Sequence, residues 1–455
     1  MKRKIIRIII ALLVLIALPL FVWRMYLASV INRELAKIHA AGLPTNGEEM
    51  NRWYPAVPDN QNAALLLTQA FTFLHTIHTD SDERSKEVWK LYDKLPRRVV
   101  ELTSEQLELI RWFVATNQAA MTKAQEAVNL SSSRYPIDCT RLMTTELPHL
   151  AHLVSLAYLN QFSTALAILD GQTNAPVENI KDILALARTL DEEPLLISQL
   201  ARLKMIRLVF TTLEQRANAS SFIQTELVKL KDLFTHIRTT NTAAYALIGE
   251  RAMTIPYFRM VKSEALRLNP PQDQDDTKQD SPLPCHGPAI LRLIGYYELD
   301  YGSYLIGMNK AIALLSNAPP DNFSASGYLA RVGKESTKRR RTLSGQAMSA
   351  YASVPFHEAE AIAHQRIVLL ALAVESFRNE TGRLPEKLEE LVPKFVEEVP
   401  EDPFTGLDLE YRRTKKDYLI YSVGRDREDN GGSEKSDKKL SDDKQSYDIT
   451  FTVDR

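Results

Sequence analysis

Residue types able to do chemistry are thinly spread along these 455 residues. His75-x-x-His78 and His149-x-x-His152 each set two imidazoles three positions apart, which places them on one helix face at a spacing a metal ion accepts. Neither pair has a third ligand type close by, and His149 follows Pro148 at an expected helix start. Both are therefore read as polar decoration of amphipathic helices. His357, Glu360 and His364 share another face, but not in the His-Glu-x-x-His order that pairs two zinc ligands with a general base, so they are read as a solvated stripe. Lys338-Arg-Arg-Arg341 has the charge to meet acidic lipid headgroups or nucleic acid, and as part of Gly333 to Arg341 it is read as an exposed basic loop. No phosphate-binding glycine loop, nucleophile elbow or paired-cysteine zinc motif occurs. The expectation is a protein without an enzymatic site. The alternative is an enzyme whose site lies in the helical region, where a cleft joining His149, His152 and carboxylates would reveal it.

Two cysteines, Cys139 and Cys285, are too few for a disulfide framework or a cysteine zinc site. A single bridge and two free thiols are the alternatives. Free thiols are expected, because Cys285 sits in a stretch too polar to hold it in place. A net charge of −1 excludes a bulk attraction to nucleic acid, and no nucleic-acid partner is expected.

The elements that must position these residues begin with an anchor. Lys2, Arg3, Lys4 and Arg7 precede an apolar run from Ile8 to Trp23, which Ile5 and Ile6 extend and Arg24 closes. The run is close to the 20 or so residues that span a bilayer, and no small-x-small cleavage site follows it. An uncleaved signal anchor over 1–28 is expected, its basic end cytoplasmic and Trp23 and Tyr26 at the far interface. That places a single-pass protein in the inner membrane of a bacterium, with its bulk in the periplasm. A polar stalk and irregular link follow over 29–59, then a helical domain over 60–318. With 45% hydrophobic and 25% charged residues, few glycines and abundant Leu and Ala, the chain is expected to be mainly α. Apolar periodicity marks helices at 85–95 and 104–128, and more strongly at 147–169, 176–190, 194–218 and 221–236. Short Gly, Pro and Asn breaks join these into antiparallel hairpins. The Ala-rich pair over 147–190 is similar to a tetratricopeptide repeat, without a second copy at a fixed period. Residues 269–288, proline-rich and charged, read as a disordered excursion, and 319–354 as a linker.

The last segment, 355–455, reads as a small α+β domain: a helix to about Asn379, a turn, a short second helix, a corner and short strands. The turn is Asn379-Glu-Thr-Gly-Arg-Leu-Pro385 and the corner Pro400-Glu-Asp-Pro-Phe404, with strands at Leu409 to Tyr411 and Asp417 to Tyr421. A Gly/Asp loop, Val423 to Gly432, precedes the closing Tyr447-Asp448-Ile449. This order of pieces resembles the C-terminal domain of the major pseudopilin of type II secretion systems. The resemblance implies a binding or scaffolding role, with secretion or pilus-like components as protein partners. It also implies a calcium ion on the loop, Asp426 matching the family's motif and Asp429, Asp442, Asp443 and Asp448 ranking below it. An acidic loop with glycine turns can supply the six to eight oxygens that Ca²⁺ needs. Against this, the inserted stretch from Ser433 to Ser446 brings Lys435, Lys438, Lys439 and Lys444. The apolar run also has neither the Gly-ending leader nor the early Glu of a pseudopilin.

Overall fold

The computed structural model describes residues 2–76, 83–92, 94–259, 294–414, 417–433 and 448–455. His78, Cys285, the excursion at 269–288, Asp442, Asp443 and the four inserted lysines lie outside the described residues. Within them the chain is mainly helical, with one small antiparallel sheet near its C-terminus.

The first helix, α1 (Lys2–Ala40), is continuous from the apolar run through the expected stalk. Its 39 residues make a rod of about 58 Å at 1.5 Å per residue. Ile8, Val14, Leu15, Leu18 and Phe21 are each more than half exposed, whereas Leu27, Ile31, Glu34 and Ile38 are buried. The segment from residue 29 is therefore not a free stalk. It packs along α12 (Tyr296–Leu315), beside α11 (Thr242–Arg259), α13 (Ser324–Lys338) and α14 (Thr342–Tyr351). Ile31, Ile38, Leu247, Tyr304, Leu305, Met308, Leu329 and Met348 form this core. The stretch 319–354, expected to link, thus carries two helices, and the basic run is helical as far as Lys338. Ala325, Leu329 and Gly333, four apart, supply the buried stripe that makes α13 a core helix.

The remaining helices make the larger core, apart from the first of them, whose Met50 packs with Cys139, Leu142, Leu195, Ala252 and Met253 in a small cluster of its own. In order these are α2 (Gly47–Trp53), α3 (Ala63–Phe71), α4 (Glu83–Leu91), α5 (Ser104–Thr116), α6 (Gln118–Gln125), α7 (Pro148–Leu169), α8 (Asn174–Arg188), α9 (Leu196–Ala219) and α10 (Gln224–Thr235). Asn62 caps α3, its side chain accepting from Ala64 N–H at 3.1 Å. The helix expected over 104–128 breaks at Asn117. Its buried amide accepts from His75 N–H (2.7 Å) and donates to the carbonyls of His75 (3.0 Å) and Phe113 (2.9 Å), so it competes with the helical ladder. Helices α7, α8 and α9 pack on one another and supply most of the interior. Gly249 lets α11 approach α9's start: a Cβ there would meet the Pro194 carbonyl oxygen at 1.6 Å.

The long helix α15 (Val354–Thr381) joins the two cores. Val354 belongs to the smaller one, and Ile367, Leu370, Val374 and Phe377 to the larger. It stops at Gly382, whose φ of 73° suits a residue without a side chain and whose N–H returns to the Arg378 carbonyl at 2.9 Å. Strands β1 (Glu410–Arg413), β2 (Tyr418–Ser422) and β3 (Ile449–Val453) then form an antiparallel sheet in the order β1-β2-β3. Ile420 pairs with Phe451 and Tyr418 with Val453, all four buried. These side chains share the core of α7 to α10, so the C-terminal piece and the helical body are packed as one.

Candidate functional site

The C-terminal loop starts from a knot at the expected corner. Asp402 is buried, and its carboxylate accepts from the N–H of Phe404 (2.8 Å), the Ser422 hydroxyl (2.9 Å) and the N–H of Val423 (2.8 Å). Corner, β2 and loop are thereby tied together at one side chain. From here the three carboxylates that the resemblance assigns to calcium each meet partners of their own. Asp426, half-buried, accepts from Glu428 N–H and from the Asn430 amide at 3.0 Å. Asp429 accepts from the Tyr421 hydroxyl (2.9 Å) and Gly431 N–H (2.8 Å), with the Arg412 guanidinium 3.6 Å away. The Gly431 amide and the Tyr421 hydroxyl hold its carboxyl below the usual range, although burial opposes them. Asp448 is buried and accepts from Gly432 N–H at 2.7 Å and Ser433 N–H at 3.2 Å, while its Oδ1 has no hydrogen-bond partner. Burial raises its carboxyl, against those amide donors.

One free carboxylate oxygen is far short of the set that calcium needs. Asp426 and Asp429 are engaged within their own turns, and Asp429 faces a cation. Among the described residues no three His, Cys, Asp or Glu side chains meet at a point. Among the described residues Asp426, Asp429 and Asp448 belong to no such group.

The loop does seat one side chain firmly. Arg425 donates through Nε to Glu360 (2.6 Å), and its Nη2 lies 3.0 Å from His357 Nδ1. Burial works against the Glu360 carboxylate, but the His357 and Arg425 contacts hold it down at about 2. His364, half-buried edge-on to Phe210, is pushed down to about 4 by burial. The face expected as a solvated stripe is instead a dock for the loop. Composition alone did not reveal this, because Arg425 comes from 65 residues further along the chain.

The two imidazoles of His149-x-x-His152 part company. His152 lies against the Phe71 ring at 5.0 Å. His149 is only 6% exposed, so it is not polar decoration. It stacks on Tyr135 at 4.1 Å, and its Nε2 lies 3.0 Å from both oxygens of the fully buried Glu193. Ser198 donates to the same carboxylate, and Tyr135 bonds Thr189 at 3.2 Å. A carboxylate that orients an imidazole is one half of an acid–base device; the other half is access to a substrate. Here the ring and carboxylate are closed in under Tyr135, an arrangement that stabilises a polar core. Cys139 is buried nearby among Met50, Leu142 and Leu195, and burial pushes its thiol up to about 12, far from the thiolate that reacts. Sequence reasoning passed over Glu193, Ser198 and Tyr135, whose one signal is an acidic residue ahead of Pro194 between two apolar helices.

Clefts lie elsewhere among the described residues. One of about 530 Å³ runs between α10 and α15, lined by Leu227, Val228, Leu372 and Phe395. Another of about 280 Å³ between α8, α9 and α10 holds Lys181, Arg188, Arg202 and Arg238. Neither is lined by His149 or by the loop carboxylates. Comparison with known families, curated proteins and solved structures finds no match to this chain.

Proposed function

We propose that this chain is a single-pass membrane protein of a bacterial envelope whose work is binding or scaffolding. Its N-terminus lies in the cytoplasm and its body in the periplasm. The observation that carries the reading is the division of α1. Its first part leaves apolar side chains exposed on all faces, and its second part runs without a break into a packed core. An apolar surface of that size is stable in lipid and costly in water. A cleaved signal sequence would pass the same test of length and hydropathy. The packing of residues 27–38 against α12 gives a retained anchor a rigid mount. The second apolar helix, α7, is already enclosed by protein.

The pseudopilin-like reading of 355–455 is part of this proposal, with secretion or pilus-like components as the partners it suggests. It is supported by the helix, Gly-ended turn, Asp-Pro corner and three-stranded sheet, which follow in the order of the quoted motifs. The Asp402 knot makes the corner structural.

Two measurements test the topology. A reporter that is active only outside the cytoplasm, fused after Arg455, should be active, and activity of a cytoplasm-only reporter there would reverse the orientation. The intact mass of protein extracted from membranes should still contain Met1 to Trp23. Its loss would turn the anchor into a signal peptide.

A further inference from the structure

The basic run Lys334 to Arg341 has five cations in eight residues and one acid, Glu335. It is remote in sequence from the N-terminal apolar run, yet the fold brings the two together. Helix α12 runs parallel to α1, as three contacts in the same order show. The Ile294 carbonyl, just before α12, accepts from the Trp23 indole at 2.9 Å. Glu298 pairs with Arg24 at 2.6 Å, and further along Asn309 donates to Glu34 at 3.0 Å. The first turn of α12 is therefore level with residues 23–27, where the apolar run of α1 ends.

The turn between α13 and α14 is fastened to that same level. The Tyr296 hydroxyl donates to the Arg340 carbonyl. Asp300, one turn into α12, caps α14 by accepting from Leu343 N–H and Ser344 N–H, both at 3.2 Å. Lys334, Lys338 and Arg339 are exposed and make no ion pair among the described residues. Around them stand aromatic residues of the types that favour a bilayer interface. Trp23 stacks on Tyr26 at 5.7 Å, and Tyr296 meets Tyr297 edge-on at 6.0 Å.

We propose that the α13–α14 turn, through Lys334, Lys338 and Arg339, is a docking surface for the headgroups of anionic phospholipids at the membrane face where α1 emerges. The inference rests on the anchor reading above. The negative end of the α13 dipole suits one or two cations in its last turn, but not Lys334, Lys338 and Arg339 together. A bilayer with acidic headgroups supplies the missing counter-charge over the whole patch. Two attachments, the helix and the turn, then fix the tilt of the body on the membrane rather than leaving it free to swivel about α1.

The test uses the full chain in vesicles of phosphatidylcholine and phosphatidylglycerol in equal parts, followed by mild detergent extraction and analysis of the lipids that co-purify. Phosphatidylglycerol should be enriched over phosphatidylcholine. The enrichment should fall roughly fivefold for each of Lys334→Gln, Lys338→Gln and Arg339→Gln, and should also fall in high salt. Equal retention of both lipids, or an enrichment indifferent to the three substitutions, overturns the docking surface. Release of the chain from the vesicles by an alkaline wash is a different failure, since it removes the anchor itself and the surface with it. The three positions are exposed, and an unchanged melting temperature in the triple variant shows that the fold is intact.

Discussion

Glu214 carries a carboxylate from α9 into the core to meet the outer edge of β3. It accepts from the Thr452 N–H at 2.7 Å and pairs with Arg97 at 3.1 Å, while Asn218 one turn on bonds the Thr452 carbonyl and the Asp454 N–H. An open strand edge is thus closed by side chains instead of a further strand. Burial raises the Glu214 carboxyl from 4.5 to about 7 despite Arg97. A carboxyl raised by folding binds its proton more tightly in the folded chain. Its contribution to stability is full below pH 4.5 and is lost as the pH rises through 7. The full chain should therefore lose on the order of 1–3 kcal/mol at this group between pH 5 and pH 8, and Glu214→Gln should flatten that slope in urea unfolding. An identical slope in the variant would show that Glu214 does not titrate there. Asp402 is a buried carboxylate with three donors. Asp402→Ala strands Ser422 and the N–H groups of Phe404 and Val423, and should cost about 2–4 kcal/mol in the same assay. Among the described residues no three ligating side chains gather at the loop, so the melting temperature of the full chain should be the same in calcium as in chelator. A rise in calcium that Asp448→Asn abolishes would show that the loop closes on an ion after all.

Among the elements, α1 has to satisfy two solvents. Up to Trp23 it is apolar on every side, as lipid requires, and from Leu27 it has one buried stripe, as a protein core requires. Arg24, paired with Glu298, stands at the change. Each charge placed in the middle of a membrane helix costs about 2.5–3.5 kcal/mol on the insertion scale. Leu15→Arg with Leu18→Arg should therefore move the chain out of the membrane fraction. Ile38→Asp, in the buried stripe, should leave membrane association intact and unfold the smaller core. If both variants behaved alike on fractionation, the two halves of α1 would not be doing separate jobs.

At the scale of the molecule, α15 and the sheet cannot be separated cleanly from the helical body. Asn379 on α15 donates to the Phe222 carbonyl just before α10, and Lys231 on α10 donates to that of Phe395 beyond α15. Arg455 bonds the carbonyl of Ala217 at 2.7 Å. An excised 355–455 fragment would expose the apolar side of α15 and the closed edge of β3 at once. It should behave as a compact but loosely packed species, with little dispersion in its amide proton spectrum. A sharp, cooperatively melting fragment would show instead that the C-terminal piece is a domain in its own right.

Periodicity was enough to find most of the helices, because the apolar stripe of an amphipathic helix repeats within a few residues of itself. The helix opening at Pro148 was legible for that reason, and the strands near 410 and 420 by their two-residue alternation. The kind of burial each polar residue meets was not. His149 and His152 look alike in the sequence, yet one meets Glu193 from 44 residues away and the other lies on Phe71. The Arg340 turn reads as a loose loop until Tyr296 and Asp300 fasten its ends beside Trp23. The three aspartates form an acidic loop on paper, but Asp429 meets Arg412 and the Gly431 N–H while Asp448 takes the Gly432 N–H. In each case the deciding partner comes from another element. The free energy of a charge depends on the groups and solvent within a few ångströms of it, and tertiary packing alone brings those groups there.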